Sequence, residues 1–397
     1  MKLVPPAICT GCMACTDSCH HGALSITLDH DGFYQIASDK DKCVDCGLCS
    51  KVCPIMNPLP TDREQIELSK PFAVWCTDEP LRKASASGGA FAAIAKAFME
   101  KGAIVYGAAI DGFEIHHLRI EKLEDLPQIL GSKYQHSRMD GIYRQVAKDL
   151  REGRTVLFSG LSCQVAGMLN SVPKKLQDNL FTIDTICGGL STMLPMRKLQ
   201  ESGEYMGIHS FRNKDNGWKS KGFKYALKMY KKDGSIEDLG MDNMMLQSFC
   251  HKETKRSSCY DCQFNGFHRA SDATIGDFWG DQRFQEQHHN GLSVLTTHSE
   301  RLLDYLKEAP LHTEPVAWAD NVKSNPCFYW SHYPYMRKTY KRKQFFRHLR
   351  AGDEQGALQV LGHNNLISRI ETRLYQRGNE KEREAYLQQM LNKTTDK

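Results

Sequence analysis

Residues 9–20 read CTGCMACTDSCH, and residues 43–54 read CVDCGLCSKVCP. Each run carries four thiols at steps of three, three and four residues. Three cysteines at three-residue steps wrap the backbone round a small object and aim their sulfurs at one face of it. A cube of iron and sulfide takes four thiolates, so one more must come from elsewhere. The run with proline after its last cysteine is the bacterial two-cluster ferredoxin pattern, in which the fourth cysteine ligates the other cluster. Cys9, Cys12 and Cys15 are therefore expected to take Cys53, and Cys43, Cys46 and Cys49 to take Cys19. His20 stands where the first run would carry proline; proline there shapes the backbone and is not a ligand. Zinc is the competing metal, but zinc ribbons use two separated CxxC pairs. Between the runs, ALSITLDHDGFYQIASD alternates apolar and polar residues about DHDG, which predicts a hairpin turning near Asp31–Gly32. After Cys53, PIMNPLPTDREQ carries three prolines and then charge, the composition of a linker. Residues 1–60 are thus expected to form a ferredoxin-like domain, and 61–70 the linker.

The bulk composition narrows the remainder. A chain of 397 residues suggests two or three domains. A net charge of +5 with 25% charged residues is too mild to argue for a nucleic-acid partner. The start, MKLVPPAIC, has no apolar segment of the signal-peptide kind. The longest apolar stretch, 88–110, is broken by Lys96, Glu100 and Lys101, and predicts a helix followed by a strand rather than a membrane span. Fifteen clustered cysteines, an odd number, do not suit a secreted disulfide scaffold. They suit metal-holding thiols in a reducing cytoplasm.

From Pro71 onward the pattern alternates strands with helices, which predicts an α/β layer with a largely parallel sheet (α+β for the whole chain). PFAVWC reads as a strand, SASGGAFAAIAKAFMEKG as a helix and AIVYGAAI as a strand. Ser85, Ser87, Gly88 and Gly89 fall at the helix start, where free N–H groups favour an anion. A plain helix start with serine as N-cap explains them equally well. RTVLFSGLSCQVAGML reads as strand, sharp turn and helix, with Cys163 near the helix start. LFTIDTICGGLSTMLPMRKL repeats the idea with Cys187, two glycines and a helix. Cys259 and Cys262 form a CxxC pair in SSCYDC. These four thiols are enough for a third cluster, though zinc, or simple burial of Cys163 and Cys187 as small hydrophobes, would also account for them. Cys76, Cys250 and Cys327 have no partner spacing.

Together, SASGGAF, GSKYQHS, VLFSGLSCQVAGM, DTICGG, SSCYDCQF and RASDATIGDFWG resemble, in this order, the coenzyme F420 hydrogenase/dehydrogenase beta subunit family over roughly Pro71 to Leu295. Two positions depart from its pattern: Leu161–Ser162 stand for Thr-Pro before Cys163, and Gly188 for a histidine after Cys187. The resemblance implies a flavin, usually FAD, beside a 4Fe-4S cluster, in a domain placed here at 71–310. It implies Cys163, Cys187, Cys259 and Cys262 as ligands of a third cluster, and Ser87, Gly88 and Gly89 as flavin contacts. It places Lys133, Tyr134 and Ser137 near the flavin, with Lys133 and Tyr134 in catalytic roles. Asp277 would orient a partner group, or merely cap a turn. Its partners would be an electron donor or acceptor such as ferredoxin and an unidentified small molecule. A sugar-related molecule is one expectation, since bacterial relatives stand among surface-polysaccharide genes. The alternative reading is an electron-transfer subunit of a larger complex, with no substrate of its own.

Residues 311–397 are expected to be helical. YPYMRKTYKRKQFFRHLRAG, 333–352, mixes seven basic residues with aromatics. It reads as a solvated helix with Phe345, Phe346 and Leu349 turned inward, as a docking face for an acidic ferredoxin, or as a nucleic-acid binder.

Overall fold

The computed structural model describes residues 2–59, 69–212, 214–215, 217–218, 225–266, 269–279, 282–325, 327 and 340–362. The expected linker falls mostly on residues 60–68, and the end of the chain on 363–397, outside the described residues.

In the N-terminal part each cysteine run closes into one short helical turn, Ala14–Asp17 in the first and Leu48–Lys51 in the second. Each turn is entered through a left-handed residue, Met13 (φ 66°) and Gly47 (φ 76°). Strands β1 (Leu24–Leu28) and β2 (Tyr34–Ser38) pair antiparallel between them, Leu24 against Ser38. Asp29 sets the turn by accepting from the N–H groups of Asp31 and Phe33, both at 2.9 Å. The hairpin and its turn lie where the alternation put them.

The larger part is built on an eight-stranded sheet. Its strands are β3 (Lys70–Cys76), β4 (Ile104–Asp111), β5 (Glu114–Ile120), β6 (Val156–Leu161), β7 (Leu180–Thr185), β11 (Ala273–Asp277), β12 (Ser293–Thr297) and β13 (Leu311–Pro315), in the spatial order β13-β3-β12-β11-β7-β6-β4-β5. Strands β4, β6, β7 and β11 run parallel. Their apolar runs are buried on both faces, as a parallel layer requires. The sheet is more mixed than its strand–helix alternation suggests, because β12 inserts antiparallel between β11 and β3, and β5 and β13 close the edges antiparallel. Those insertions come from hairpin-like returns (β4–β5, β11–β12), which helix counting does not reveal. A second sheet, order β10-β9-β8, is antiparallel and is formed by β8 (Tyr205–Arg212), β9 (Tyr225–Lys231) and β10 (Ile236–Asp238).

The two parts share a core. Cys12, Met13, Ala14, Tyr34 and Val52 pack in one cluster with Tyr106, Tyr143, Phe158, Val165 and Met168. Asp17 fastens this joint by accepting from the N–H groups of Gly141 (2.7 Å) and Tyr143 (2.9 Å) at the start of the helix Ile142–Arg151. A helix N-terminus is the favoured place for that carboxylate.

The basic C-terminal segment is a docked helix, Tyr340–Arg350. Phe345, Phe346 and Leu349 are buried against Phe33 of the hairpin and Met244 of the larger part. Arg342 and Arg350 flank Asp31 at the hairpin turn. Three buried side chains of this kind contribute about 1.5–3 kcal/mol each. Residues 333–339 of that segment lie outside the described residues. Among the described residues no helix is long and apolar enough to cross a membrane.

Candidate metal centres and cofactor site

The eight N-terminal cysteines line two cavities, each of which takes thiols from both runs. One cavity is walled by Cys9, Cys12, Cys15 and Cys53, with Cys49 at the same wall and Val4, Pro6, Ile36 and Ile55 around them. A second is walled by Cys19, Cys43, Cys46 and Cys49, with Leu24 and Val44. The two differ in exposure: Cys12 is buried, and Cys46 is open to solvent. Burial, and then the neighbouring thiols Cys9 and Cys53, push the Cys12 thiol up to about 12. Cys15 is pushed up by burial and by Cys12, Cys9, Cys53 and Cys49. Thiolates crowded in a dry pocket hold their charge only round a strongly positive core, which is what an iron–sulfur cube supplies. Among the described residues no three His, Cys, Asp or Glu gather closely enough to hold a single metal ion. Round zinc, sulfurs at about 2.3 Å from the metal stand in close contact with one another; round a cube they stand further apart.

The larger part brings four more cysteines together at the carboxyl ends of the parallel strands, where ligands collect in such sheets. Cys163 is the second residue of the helix Ser162–Ser171, which starts directly after β6. Cys187 lies two residues past β7, and Cys259 and Cys262 come from the turn Ser257–Asp261 and its end. The residues keep some surface. Enclosure of their sulfurs still pushes Cys163 well above the usual thiol range and Cys259 to about 12. Each of Cys12, Cys262, Cys187 and Cys259 raises Cys163 further. Backbone donors are aimed at the sulfurs: Gly189 N–H at Cys187 Sγ and Leu190 N–H at Cys259 Sγ, both 3.4 Å. Burial pushes the Cys262 thiol up as well, and backbone hydrogen bonds from Phe264 and Asn265 offset part of that rise. Such N–H···S bonds are among the levers that set an iron–sulfur potential. This donor set fits a cluster.

The helix expected directly after Cys187 and its glycines begins only at Leu194. The segment between is irregular because its amides serve the thiols and Ser191 bridges to Lys255; Pro195 then opens the helix. Cys327 also acts on Cys187, so it stands at the edge of this set, although its spacing gave no sign of that. Cys76 is buried in β3, and Cys250 ends the helix Met244–Cys250.

Below the thiols runs a buried polar chain. Arg269 pairs with Asp184 at 3.2 Å and donates to Ser162 Oγ at 2.6 Å, next to Cys163. Asp184 accepts from Thr274 Oγ1 (2.5 Å), and that hydroxyl meets His298 Nε2 at 2.8 Å. Burial holds His298 down to about 3, and His117, between Ser137 Oγ (2.7 Å) and the Ser159 carbonyl (2.9 Å), down to about 4. Both imidazoles are neutral in the folded chain, so the unfolded chain binds more protons below pH about 6.5. Stability therefore falls as pH drops from about 6.5 towards 4, by about 1.4 kcal/mol per pH unit for each histidine. Urea midpoints measured between pH 7 and 5 are expected to fall accordingly, and the fall should lessen in His298→Gln.

The glycine loop before the helix Ala90–Glu100 is spoken for by its own chain. Ser87 Oγ donates to the Leu292 carbonyl at 2.7 Å, and Gly88 N–H to Ser293 Oγ at 2.9 Å. A Cβ at Gly88 would lie 2.6 Å from the Val74 carbonyl and from Ser293 N, so close strand approach demands glycine there. The N-cap is Gly89, not a serine. The Lys214 ammonium closes the loop by donating to the carbonyls of Ser87 (2.8 Å) and Asn290 (2.9 Å). Asp277 pairs with Arg212 at 2.9 Å.

In the segment 131–138, burial lowers Lys133 to about 7, and its ammonium donates to the Leu130 carbonyl at 2.6 Å. Tyr134 stacks on Phe249 with centroids 3.9 Å apart. Between these residues and Ser137 stand two more of the GSKYQHS stretch, to which the resemblance assigns no role. Among the described residues, Gln135 is buried with no partner for either amide atom, and His136 is buried with none for Nε2. An unpartnered buried amide is costly unless something completes it. Gln135 offers a donor and an acceptor suited to the edge of a heterocycle such as a flavin. Arg256 also escapes sequence reasoning, since a basic residue three positions before a CxxC pair carries no motif.

Comparison with known proteins places these parts. Residues 8–56 match the 4Fe-4S dicluster domain model. Residues 153–316 match the model for the C terminus of the coenzyme F420 hydrogenase/dehydrogenase beta subunit; the SASGGAF and GSKYQHS stretches lie ahead of that match. No curated protein matches the chain. Among solved structures, a chain of the xenon-derivatized F420-reducing NiFe hydrogenase complex from Methanosarcina barkeri is 14% identical with a TM-score of 0.44, covering 73% of this chain and 90% of that one. The two cysteine runs on their dicluster domain define an iron–sulfur electron-transfer protein. Behind that domain, residues 153–316 are similar to the C terminus of the coenzyme F420 hydrogenase/dehydrogenase beta subunit, an oxidoreductase family.

Proposed function

We propose that the chain is an iron–sulfur flavoprotein oxidoreductase that passes electrons one at a time from a soluble carrier, through three clusters, to FAD and a small-molecule substrate. The observation that carries this reading is the order of its thiols. Cys46 is open to solvent and belongs to the outer set. Cys12 of the inner set reaches the larger part: a Cβ on Gly167, in the helix that starts with Ser162 and Cys163, would lie 3.3 Å from its Sγ. On this reading three sets of four would follow one another from the exposed Cys46, through the inner set, to the cysteines of the larger part.

FAD, when bound, would exchange electron pairs with substrate and single electrons with the clusters. Gln135 would hold the flavin edge, and Lys133, lowered to about 7, would hold a proton ready for the reduced ring. Ser87, Gly88 and Gly89 would then support the pocket through strand packing rather than as a free phosphate cradle. A cytoplasmic setting follows from the thiol chemistry, and a sugar-related substrate from the family resemblance alone.

Anaerobically purified protein tests the reading. About twelve irons per chain with one released FAD are expected. About eight irons and no flavin would overturn it and leave a ferredoxin-like subunit serving a partner's chemistry.

A further inference from the structure

Resting on the three-cluster reading, we infer that Arg256 is a positioning residue that couples the inner N-terminal cluster to the third one, holding the two cysteine loops together and stabilising an electron on either side. Its backbone belongs to the third set: Arg256 N–H donates to the Leu190 carbonyl at 2.8 Å, and Leu190 N–H in turn points at Cys259 Sγ. Its side chain belongs to the inner set. Nε donates to the Cys9 carbonyl and Nη1 to the Tyr34 carbonyl, both at 2.7 Å. Nη2 is buried without a partner among the described residues.

The neighbouring residues are cut to fit this guanidinium. Gly11 lies between Cys9 and Cys12 with φ +72°; a Cβ there would stand 2.8 Å from the His136 ring and 3.2 Å from the Arg256 guanidinium carbon. Only glycine lets the cysteine loop close on the arginine. The His136 ring packs on Tyr34 with centroids 5.5 Å apart, walling the guanidinium from water. Arg256 is 2% exposed.

Electrostatics gives the arrangement its purpose. A buried cation is costly unless an opposite charge answers it. Arg256 pairs with no carboxylate among the described residues; its acceptors are two neutral carbonyls. The groups that would answer it are the cysteine sets on either side, once their clusters are bound: Cys9, whose carbonyl it grips, and Cys259, which receives the Leu190 N–H. Each transfer would move one electron from the cluster held by the inner set to the cluster held by the third: one is oxidised by one, the other reduced by one, and no bond or proton is exchanged at Arg256. A fixed positive charge between them makes both sites easier to reduce, and more so than the outer set round Cys46.

The test is a redox titration of the full-length holoprotein followed by electron paramagnetic resonance, with iron counted in the same samples. Arg256→Gln is expected to keep about twelve irons and to disfavour reduction of two clusters by about tenfold, roughly 59 mV for one electron, leaving one unchanged. Arg256→Lys keeps the charge and loses the two-carbonyl grip, so its midpoints should return towards wild type while the magnetic interaction between the two clusters weakens. A full iron count with unshifted midpoints in Arg256→Gln would overturn the role of Arg256 and leave the three-cluster reading intact. About eight irons in the wild type would overturn that reading, and the coupling with it. Should Arg256→Gln fail to fold, Arg256→Lys decides: an interaction signal as strong as wild type overturns the proposal.

Discussion

In the Cys259→Ser variant, iron is expected to fall from about twelve to about eight atoms per chain, with the two N-terminal clusters retained. The expectation follows from where the thiol sits. Cys259 is acted on by Cys187 and Cys262 and receives the Leu190 N–H, so its loss removes one corner of the third set and weakens the bond that orients it. The eight thiols of the N-terminal cavities touch neither effect. Cys46→Ser should give the complementary result, loss of the outer cluster with the third retained. Iron and acid-labile sulfide measured on both variants decide the matter. An unchanged count in Cys259→Ser would mean that these four cysteines only pack.

Asp184→Ala is expected to cost about 3–5 kcal/mol of stability, the largest effect anticipated from any single change outside the cysteines. Asp184 and Arg269 face each other with side chains 1% and 0% exposed. Removing the carboxylate leaves the guanidinium buried, and strips Thr274 Oγ1 of an acceptor. Arg269 also offsets part of the rise that burial gives the Cys262 thiol, so its displacement should loosen iron as well. Asp184→Asn keeps the shape and one acceptor, and should cost less. Denaturant unfolding of both variants measures this; a loss below about 1 kcal/mol for the alanine would show that water replaces the pair.

The sequence carried some of this plainly and some not at all. The two cysteine runs were legible because four ligands at fixed steps leave little freedom, and the hairpin because DHDG sits between alternating strands. The gathering of Cys163, Cys187, Cys259 and Cys262 followed from family motifs, not from spacing, since strand ends far apart in sequence meet only through sheet order. That order was itself hard to read: β12 enters antiparallel between strands it follows or greatly post-dates in the chain. The serine–glycine loop looked like an anion cradle, yet Gly88 is glycine because backbone comes within 2.6 Å of its missing Cβ. Arg256, Gln135 and His136 escaped notice because their significance lies in what they lack, an unanswered polar atom in a closed space, which no local pattern encodes.

The helix Tyr340–Arg350 buries Phe345, Phe346 and Leu349 against a surface that includes Phe33 of the hairpin. A hairpin clasped in this way, with Asp17 tied to Gly141 and Tyr143 on its other flank, cannot swing on its tether. The N-terminal module is thus no shuttle that must find its mark at each turnover. It is a fixed terminal, and on the relay proposed above the pace of internal transfer would be governed by distance and driving force, not by diffusion or by the ionic strength that governs encounters.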